Sequence, residues 1–330
     1  MKNFLLSWKD YTRLKKIKDN DKEYVFYAET TSDWSYLDPI IVELSKEKKI
    51  IRVTSDIKDK YLGNSNTFFI GDGAIRTFFF KTMKAKAFVM TLTDLGSYYL
   101  KKSYNPVKYF YIFHSIVSTH RVYNETAFDN YDIIFCVGNH HVQEIKKREN
   151  IFNLKKKKLY PHGYGKLDSL ILDLNSFSQK GKFNNSKDIL IAPTWGDSSI
   201  VKTSIFDIIE ILLQNSYGIT LRFHPMTIRN DKKIIEKLKA KFSSNKQVKF
   251  DNNFNSNESY IKSKIMISDW SGAAIEYAFA TVRPVIFIDT KPKTNNLNWN
   301  KLNVPCIEDS IRGDIGEILS EKKLSELPKI

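Results

Sequence analysis

The chain has 330 residues, of which 42% are hydrophobic and 27% are charged. This length accommodates two domains of ordinary size, and the composition is that of a soluble globular protein with ample core material. No run approaches the roughly 18 uninterrupted apolar residues that a membrane-spanning helix needs. The segment Phe4–Leu6 is too short for the apolar part of a secretory signal. We therefore expect a cytoplasmic protein, or one that is peripheral on the inner face of the cell membrane.

The net charge of +15 is concentrated in the middle of the chain. Residues 51–250 carry 32 basic and 17 acidic side chains, which accounts for the whole excess. The positive electrostatic field of these side chains favours a polyanionic partner, namely nucleic acid, an anionic membrane or a phosphate-rich substrate. A genome that prefers lysine codons is the alternative explanation. Only 13 residues are glycine, so we do not expect a glycine-rich loop to be the main phosphate-binding device.

The first half alternates apolar runs of strand length with helical patterns, which predicts a parallel sheet. The predicted strands are Tyr24–Ala28, Ile50–Thr54, Thr67–Ile70, Ala87–Thr91, Lys108–Phe113 and Asp132–Val137. The helical patterns include Leu37–Lys48 and Asn139–Asn150. The polar stretch Asn175–Lys187 has the composition of a linker. We therefore predict one domain over residues 1–175 and a second over residues 176–330.

The second half repeats the alternation and predicts a second Rossmann-like sheet. Its predicted strands are Asp188–Ala192, Ile219–Phe223, Val248–Phe250, Ile265–Ile267 and Pro284–Ile288. Its predicted helices are Val201–Asn215, Asp231–Phe242, Asn257–Lys262 and Gly272–Phe279. Two such units predict a two-lobed α/β protein with a cleft between the lobes. Ligands of open α/β sheets bind past the carboxyl ends of the strands, so the residues at those ends are the candidate site.

The residues after the strand Ile265–Ile267 fit a phosphate site. Ser271 is a good helix N-cap, and Gly272 with the alanines after it lets a ligand approach the amides of the first turn. Those amides and the helix dipole favour an anion. Glu276 is placed either to accept from a ribose hydroxyl or to face solvent. A capped helix without a ligand is the structural alternative.

A second candidate site residue follows the strand Ile219–Phe223. Proline at position 225 holds His224 in an extended conformation at the strand end. An imidazole there can donate to a phosphate or lend a proton to a leaving group. Arg222, two residues earlier, is a candidate charge clamp. The alternative for His224 is a hydrogen bond to a neighbouring loop.

Two further strand ends carry hydroxyl or ring side chains. The loop Pro193–Ser199 supplies the hydroxyl of Thr194 and the aromatic face of Trp195, although an ordinary turn is the alternative. In the first half, His114 follows the strand Lys108–Phe113 and places another imidazole at a strand end. We expect it to face the same cleft.

Three segments resemble one family. Lys187–Trp195 (KDILIAPTW), Leu221–Pro225 (LRFHP) and Ile267–Phe287 (ISDWSGAAIEYAFATVRPVIF) are similar to the CDP-glycerol glycerophosphotransferases, the teichoic-acid primases and polymerases with a GT-B fold. The family's His-Gly-Thr motif falls at His114–Ile116, where the glycine and threonine are replaced. Its Gly-x-Pro-x-x-Asp motif falls at Gly163–Asp168, with glycine in place of proline. The resemblance covers roughly residues 108–290 and implies an acceptor-side Rossmann-like domain followed by a nucleotide-donor-binding one.

The resemblance also implies roles for individual residues. His114 would be the catalytic base for the acceptor hydroxyl, and His224 would contact the donor diphosphate and help the CMP group to leave. Cationic side chains and helix amides would carry the phosphoryl transfer, and we expect no metal and no cofactor. The predicted donor-binding residues are Arg222, Thr194, Ser268, Asp269, Ser271, Gly272 and Glu276.

The sequence therefore predicts a transferase that moves glycerol phosphate, or a related polyol phosphate, from a CDP-activated donor. The acceptor would be a hydroxyl of a cell-surface glycan or of a lipid-linked acceptor, as in teichoic-acid biosynthesis. One alternative is a GT-B enzyme acting on CMP- or UDP-sugars, either a glycosyltransferase of capsule or lipopolysaccharide synthesis or a UDP-sugar epimerase. The other is a non-catalytic nucleic-acid-binding protein. Because no recognised nucleic-acid module accompanies the basic excess, we expect no nucleic-acid partner.

Two other patterns bear on partners and metals. The segment Phe4–Lys18 combines apolar and basic side chains at helical spacing, which predicts an interfacial helix on an anionic bilayer. A terminal helix packed on the second lobe is the alternative. His140, His141 and Glu144 also have a helical spacing that could suggest a metal, but no third ligand is evident, so we predict a surface helix rather than a metal site.

Overall fold

The computed structural model describes residues 2–179, 188–253 and 256–330. The contacts within the chain divide it into two compact α/β units. Unit 1 comprises Met1–Ser115, Thr119–Lys166 and Asn295–Val304. Unit 2 comprises Ile116–Ser118, Leu167–Thr294 and Pro305–Ile330. The domain limit between residues 175 and 176 stays a prediction.

Unit 1 contains a seven-stranded sheet in which every neighbouring pair is parallel. Its strands are β1 (Tyr24–Ala28), β2 (Ile50–Thr54), β3 (Thr67–Phe69), β4 (Ala87–Met90), β5 (Lys108–Ile112), β6 (Ile133–Cys136) and β7 (Lys158–Pro161). Their spatial order is β3-β2-β1-β4-β5-β6-β7. All six strands predicted for this half are therefore present. The seventh, β7, escaped prediction because all but one of its side chains are exposed and no buried face marks it.

The helices of unit 1 are α1 (Lys2–Lys15), α2 (Trp34–Leu44), α3 (Ala74–Thr82) and α4 (Asn139–Ile151). Helix α1 packs on its own unit, where the carboxylate of Asp10 accepts from the backbone N–H of Phe69 at 2.9 Å. The phenol of Tyr11 is 2.9 Å from the hydroxyl of Thr82 on α3. The outer face of α1 leaves Phe4 and its apolar neighbours exposed.

Helix α4 corrects one prediction, since part of it is buried rather than solvated. His141 and Glu144 are both fully buried. The Glu144 carboxylate accepts from the backbone N–H and the hydroxyl of Thr119, each at 2.6 Å. Burial raises the pKa of Glu144, but its hydrogen bond with His120, the charge of His141 and the Thr119 bonds outweigh that effect and hold it below its ordinary value. The surface-helix prediction was wrong because buried carboxylates with several donors look polar in sequence.

Unit 2 contains a six-stranded sheet, again entirely parallel. Its strands are β8 (Asp188–Ile191), β9 (Gly218–Leu221), β10 (Val248–Phe250), β11 (Ile265–Ser268), β12 (Val285–Asp289) and β13 (Gly316–Ser320). Their order is β10-β9-β8-β11-β12-β13. Strand β13 was not predicted. Its pairing depends on Gly316, because a Cβ atom there would lie 1.8 Å from the carbonyl oxygen of Val285 on β12.

Helix α5 (Gly165–Gln179) begins at the end of unit 1 and belongs mostly to unit 2. It corrects the linker prediction over Asn175–Gln179, because Leu170 and its apolar neighbours at helical spacing pack into the core of unit 2. Residues 180–187 of the predicted linker lie outside the described residues. The remaining helices of unit 2 are α6 (Ile200–Thr203), α7 (Ile205–Gln214), α8 (Pro225–Asn230), α9 (Lys232–Phe242), α10 (Glu258–Lys262), α11 (Gly272–Thr281) and α12 (Ile307–Ile315).

The single helix predicted over Val201–Asn215 is two helices, α6 and α7. They are separated at Ser204, whose φ of −134° and ψ of 6° are not helical. Ile205, Ile208, Ile209 and Leu212 are buried on one face of α7. Within the described ranges, no helix has both the length and the apolar character needed to cross a membrane.

Candidate active site

The carboxyl edge of the unit 2 sheet brings four loops side by side. Strands β9, β8, β11 and β12 are neighbours in this sheet. The residues after them include His224, Trp195, Ser271 and Lys293 respectively. Because the strands are parallel, all four loops leave the same edge, which is where ligands of open α/β sheets bind.

Asp269 holds two of these loops together. Its side chain is completely buried. One carboxylate oxygen accepts from the backbone N–H of Thr194 at 2.6 Å, and the other accepts from the backbone N–H of Ile200 at 3.0 Å. Burial raises the pKa of Asp269, and these backbone hydrogen bonds oppose that rise. The structure therefore places Asp269 beneath the surface of the site, where it shapes the loop after β8; its contact with the donor stays a prediction.

Ser271 begins helix α11 as the sequence predicts. Its backbone is extended, with φ −87° and ψ 134°, and its hydroxyl accepts from the backbone N–H of Ala273 at 3.3 Å. Gly272 and Ala273 are partly exposed, so the first turn of α11 is accessible to an anion. Glu276, one turn later, is buried and does not face solvent.

Two other residues that were predicted to bind the nucleotide donor, Ser268 and Thr194, are buried close to Asp269. The hydroxyl of Ser268 donates to the carbonyl oxygen of Ala192 at 2.7 Å. Thr194 is buried, and its carbonyl oxygen accepts from the hydroxyl of Ser199 at 2.8 Å. These bonds fix the loop after β8 to the end of β11, so both residues support the shape of the edge.

His224 caps helix α8 in the extended conformation that the following proline predicts, with φ −61° and ψ 143°. Its Nδ1 atom accepts from the backbone N–H of Met226 at 3.0 Å. A backbone N–H can only donate, so Nδ1 carries no hydrogen, and in the neutral ring the hydrogen lies on Nε2. His224 therefore presents an N–H group through Nε2, as a phosphate oxygen requires.

Arg222 contacts residues that follow β10, the strand that neighbours β9 at the edge of the sheet. Its guanidinium donates to the Asp251 carboxylate at 2.6 Å, to the carbonyl oxygen of Ser256 at 3.0 Å and to the hydroxyl of Ser259 at 3.1 Å. The arginine thus ties the loop after β10 to helix α10. The Asp251 carboxylate neutralises its charge, and a direct contact with the donor stays a prediction.

His114 lies at the carboxyl edge of the unit 1 sheet, two residues after β5. Its Nδ1 atom lies 2.9 Å from the carbonyl oxygen of Thr91, at the end of β4. Because a carbonyl oxygen can only accept, Nδ1 carries the hydrogen in this contact and the Nε2 atom holds the lone pair. The ring is partly exposed, so His114 has the tautomer that a general base needs.

Aromatic side chains surround His114. The rings of Tyr36 and Tyr123 lie 6.3 Å and 5.9 Å from it, measured between ring centroids. Tyr164 donates from its hydroxyl to the carbonyl oxygen of His114 at 3.1 Å and stacks on Tyr36 at 5.9 Å. Sequence reasoning did not identify these tyrosines, because they come from separate segments of the chain.

Two cationic residues near the carboxyl edge of the unit 2 sheet were also missed. The ammonium group of Lys293 lies 3.7 Å from the centroid of the Trp195 ring. The guanidinium of Arg312 lies 4.0 Å from the centroid of the Trp270 ring and donates to the Asp289 carboxylate at 3.1 Å. Both residues follow the last segment that the sequence analysis treated as part of the site.

Comparisons with known proteins agree with this architecture. Among solved structures, the wall teichoic acid polymerase TagF has a TM-score of 0.61 and 16% identity, over 99% of this chain and 85% of that one. UDP-GlcNAc 2-epimerase from Methanocaldococcus jannaschii, in complex with UDP-GlcNAc and UDP, has a TM-score of 0.61 and 15% identity, over 93% of this chain and 92% of that one. The enzyme from Neisseria meningitidis bound to UDP-GlcNAc has a TM-score of 0.55 and 14% identity, over 93% and 89%. At such identities the likeness establishes the fold, which is of the GT-B class.

The sequence comparison assigns the family. No curated protein matches the chain. A family model described as CDP-glycerol:poly(glycerophosphate) glycerophosphotransferase matches residues 16–293, which is most of the chain. The chain therefore belongs to the CDP-glycerol:poly(glycerophosphate) glycerophosphotransferase family and is a glycerophosphotransferase-like transferase.

Proposed function

We propose that this enzyme transfers glycerol phosphate, or a related polyol phosphate, from a CDP-activated donor to a hydroxyl group. The acceptor is a cell-surface glycan or a lipid-linked precursor of one. The observation that carries the proposal is the pair of histidines at strand ends with opposite hydrogen-bonding states. His114 donates through Nδ1 to a carbonyl oxygen, whereas His224 accepts through Nδ1 from a backbone N–H. One ring is thereby prepared to take a proton and the other to donate a hydrogen bond.

In this proposal unit 2 binds the donor. The amides at the start of α11, after Ser271, and the Nε2–H of His224 neutralise the diphosphate. Asp269 supports them from below by fixing the loop after β8. Transfer of a phosphoryl group depends mainly on positioning and on charge neutralisation, and these groups supply both.

The chemical step uses His114 as the base. Its Nε2 atom takes the proton of the acceptor hydroxyl as the oxygen attacks the phosphorus atom that carries glycerol. A new P–O bond forms to the acceptor, and the P–O bond to the CMP moiety breaks. CMP leaves with the electron pair of that bond, and the hydrogen bond from His224 stabilises its phosphate. The products are the glycerophosphorylated acceptor, CMP and one proton held on His114.

Donor preference tests this function. We expect CDP-glycerol or CDP-ribitol to raise the thermal midpoint of unfolding, because a ligand that binds only the folded state stabilises it by about 2.7 kcal/mol at 100 times its Kd. CMP-sugars and UDP-sugars serve as the comparison in the same thermal-shift panel. Stabilisation by UDP-sugars alone would contradict the proposal and favour a sugar-nucleotide enzyme. Stabilisation by CMP-sugars alone would favour a glycosyltransferase of capsule or lipopolysaccharide synthesis.

Weak contact with the anionic inner face of the cell membrane belongs to the same proposal, since lipid-linked acceptors reside there. On α1 the side chains of Phe4, Leu5 and Trp8 are 54%, 63% and 49% exposed, and basic residues flank them. Helices that insert apolar side chains at the lipid interface while lysines meet anionic headgroups have this arrangement.

Vesicle flotation measures that contact. Wild-type protein should float with vesicles that contain phosphatidylglycerol and much less with purely zwitterionic ones. Replacing Phe4 and Trp8 together with serine should weaken partitioning about tenfold or more, because each side chain loses its apolar burial. Leu172→Ser, an equally exposed apolar position on α5, is the control. Equal flotation of the α1 variant and the control would rule out α1 as the contact.

A further inference from the structure

Lys293 occupies an unusual position for a lysine. It follows β12 in unit 2, and its ammonium group lies 3.7 Å from the centroid of the Trp195 ring, which comes from the loop after β8. The side chain is partly buried. Over the described ranges, no hydrogen bond or ion pair joins it to another residue. A cation that is withdrawn from water without a carboxylate partner is costly, so the fold retains an unfavourable charge at this point.

The electrostatics of Lys293 agree with its geometry. Burial lowers the pKa of Lys293 to about 7, and the charge of Asp269 only partly opposes this shift. Asp269 cannot act as a dedicated partner, because its two oxygens accept from the backbone N–H groups of Thr194 and Ile200. The ammonium group therefore lacks the anion that would hold it in its charged form.

The neighbouring strands place anion-binding groups around this lysine. Strand β12 adjoins β11, which leads to Ser271 and the amides of α11, and β11 adjoins β8. The ring of Trp195 also faces His224, with 6.0 Å between their ring centroids. The indole thus lies close to both the ammonium group of Lys293 and the imidazole of His224. Two hydrogen-bond donors of the same edge converge on one aromatic side chain.

We infer that Lys293, held over Trp195, binds the diphosphate of the nucleotide donor together with His224. This inference rests on the proposed function of the edge as a donor site. The donor diphosphate supplies the anion that Lys293 lacks, and a charge-assisted hydrogen bond in a partly desolvated site is strong. The cation–π contact with Trp195 positions the ammonium group before the donor arrives.

Donor binding should consequently take up protons. Near pH 7.5 a large part of the free enzyme carries a neutral Lys293, and the bound diphosphate restores the charge because it raises the pKa. Affinity is therefore highest below about pH 7 and falls as the pH rises, by roughly tenfold between pH 7 and pH 8.5. The other charged groups near the site are Asp269 and Arg312, whose charges interact with each other, and the imidazole of His224 lies beside Trp195 as a neutral ring. Asp197, in the Trp195 loop, is fully exposed and paired with a neighbouring lysine.

Isothermal titration calorimetry with CDP-glycerol and with UDP-GlcNAc tests the inference. CDP-glycerol suits the pH series, since its diphosphate diester has no titrating group in this range. Lys293→Met should weaken binding about 10- to 100-fold at pH 7. Lys293→Arg should retain most of the affinity while removing the decline above pH 7, because arginine stays charged. Lys291→Met, an exposed lysine of the same loop, should bind like the wild type.

Proton uptake provides a readout that a packing role would not change. Titrations at pH 7.5 in two buffers with different ionisation enthalpies should show net proton uptake for the wild type and for Lys291→Met. Lys293→Met and Lys293→Arg should show that uptake lost. Thermal unfolding of each variant checks that it is folded before binding is compared.

The outcomes separate this inference from the proposed function. Undiminished CDP-glycerol binding by folded Lys293→Met would overturn the role of Lys293 and leave glycerophosphotransfer standing. Binding of UDP-GlcNAc but not CDP-glycerol by the wild type would remove the proposed function, and the Lys293 variants would then decide the inference with UDP-GlcNAc. If the wild type binds neither nucleotide, both are overturned.

Discussion

Replacing His114 with alanine is expected to lower kcat by about 10²- to 10⁴-fold, with the affinity for CDP-glycerol unchanged. The reason is positional: His114 belongs to unit 1, and the groups proposed to bind the donor belong to unit 2. Its Nδ1–H is engaged by the carbonyl oxygen of Thr91, which leaves Nε2 as the basic atom. Steady-state transfer of glycerol phosphate and calorimetric binding of the donor measure the two quantities separately.

His224→Ala provides the contrast, because it removes a hydrogen bond to the bound nucleotide donor as well as the hydrogen bond to the departing CMP. We expect its donor affinity to fall about 10- to 100-fold, and its kcat to fall as well. Asparagine at position 224 can retain the N-cap that Nδ1 now provides, so His224→Asn separates loss of the cap from loss of the Nε2–H group.

The control for His114 is His162→Ala, which alters an exposed histidine that follows β7 in the same unit 1 sheet. It should turn over at the wild-type rate. Turnover of His114→Ala within a factor of three of the wild type would remove His114 from the mechanism. Loss of donor binding in folded His114→Ala would mean that the histidine belongs to the donor site instead.

The second large effect concerns stability. Asp269→Ala should lower the free energy of unfolding of unit 2 by about 3–5 kcal/mol, because it leaves buried donors without their acceptor and opens a cavity. The hydrogen-bond donors are the backbone N–H groups of Thr194 and Ile200. Each donates to a different oxygen of the Asp269 carboxylate, at 2.6 Å and 3.0 Å respectively. The loop that carries Trp195 would lose its attachment to β11, so donor binding should weaken too. Urea denaturation followed by circular dichroism measures the loss.

Asp197→Ala is the matched control for stability. Asp197 lies in the same loop, but its side chain is fully exposed and pairs with Lys202, so its removal should have little effect. Asp269→Asn keeps one acceptor oxygen and should fall between the wild type and alanine. It also allows the comparison if the alanine variant does not fold. A loss below 1 kcal/mol for either substitution at Asp269 would show that the loop is held by other contacts.

Features of this fold that depend only on neighbouring residues could be predicted from the sequence. The alternation of apolar runs and helical patterns predicted both parallel sheets, because period-2 and period-3.6 patterns follow from backbone geometry within a few residues. The cap at Ser271 and the extended backbone at His224 were equally predictable, whereas the helix that His224 caps was not predicted. A small hydroxyl residue before a run of alanines, and a histidine before a proline, restrict the backbone wherever the chain goes next.

Predictions failed where the environment of a side chain depended on distant segments. The burial of Asp269 was not predicted: its carboxylate lies beneath the loop after β8, some 70 residues earlier in the sequence, and its contact with the nucleotide donor stays a prediction. Glu144 looked like a surface residue and is instead buried against Thr119. The helix α5 was mistaken in part for a linker because its polar side chains obscure one apolar stripe.

What the sequence alone determined is the family, the two-sheet architecture and the strand ends that form the candidate site, since these depend on local motifs and periodicity. Only the tertiary structure decided which atoms those residues present. The tautomers of His114 and His224 follow from hydrogen bonds at Nδ1, one with the carbonyl oxygen of Thr91 just after a neighbouring strand and one within a helix cap. The pairing of Lys293 with Trp195 joins residues almost 100 positions apart. The burial and the charge of these side chains depend on which loops the sheet places side by side. A local sequence pattern carries no information about that arrangement.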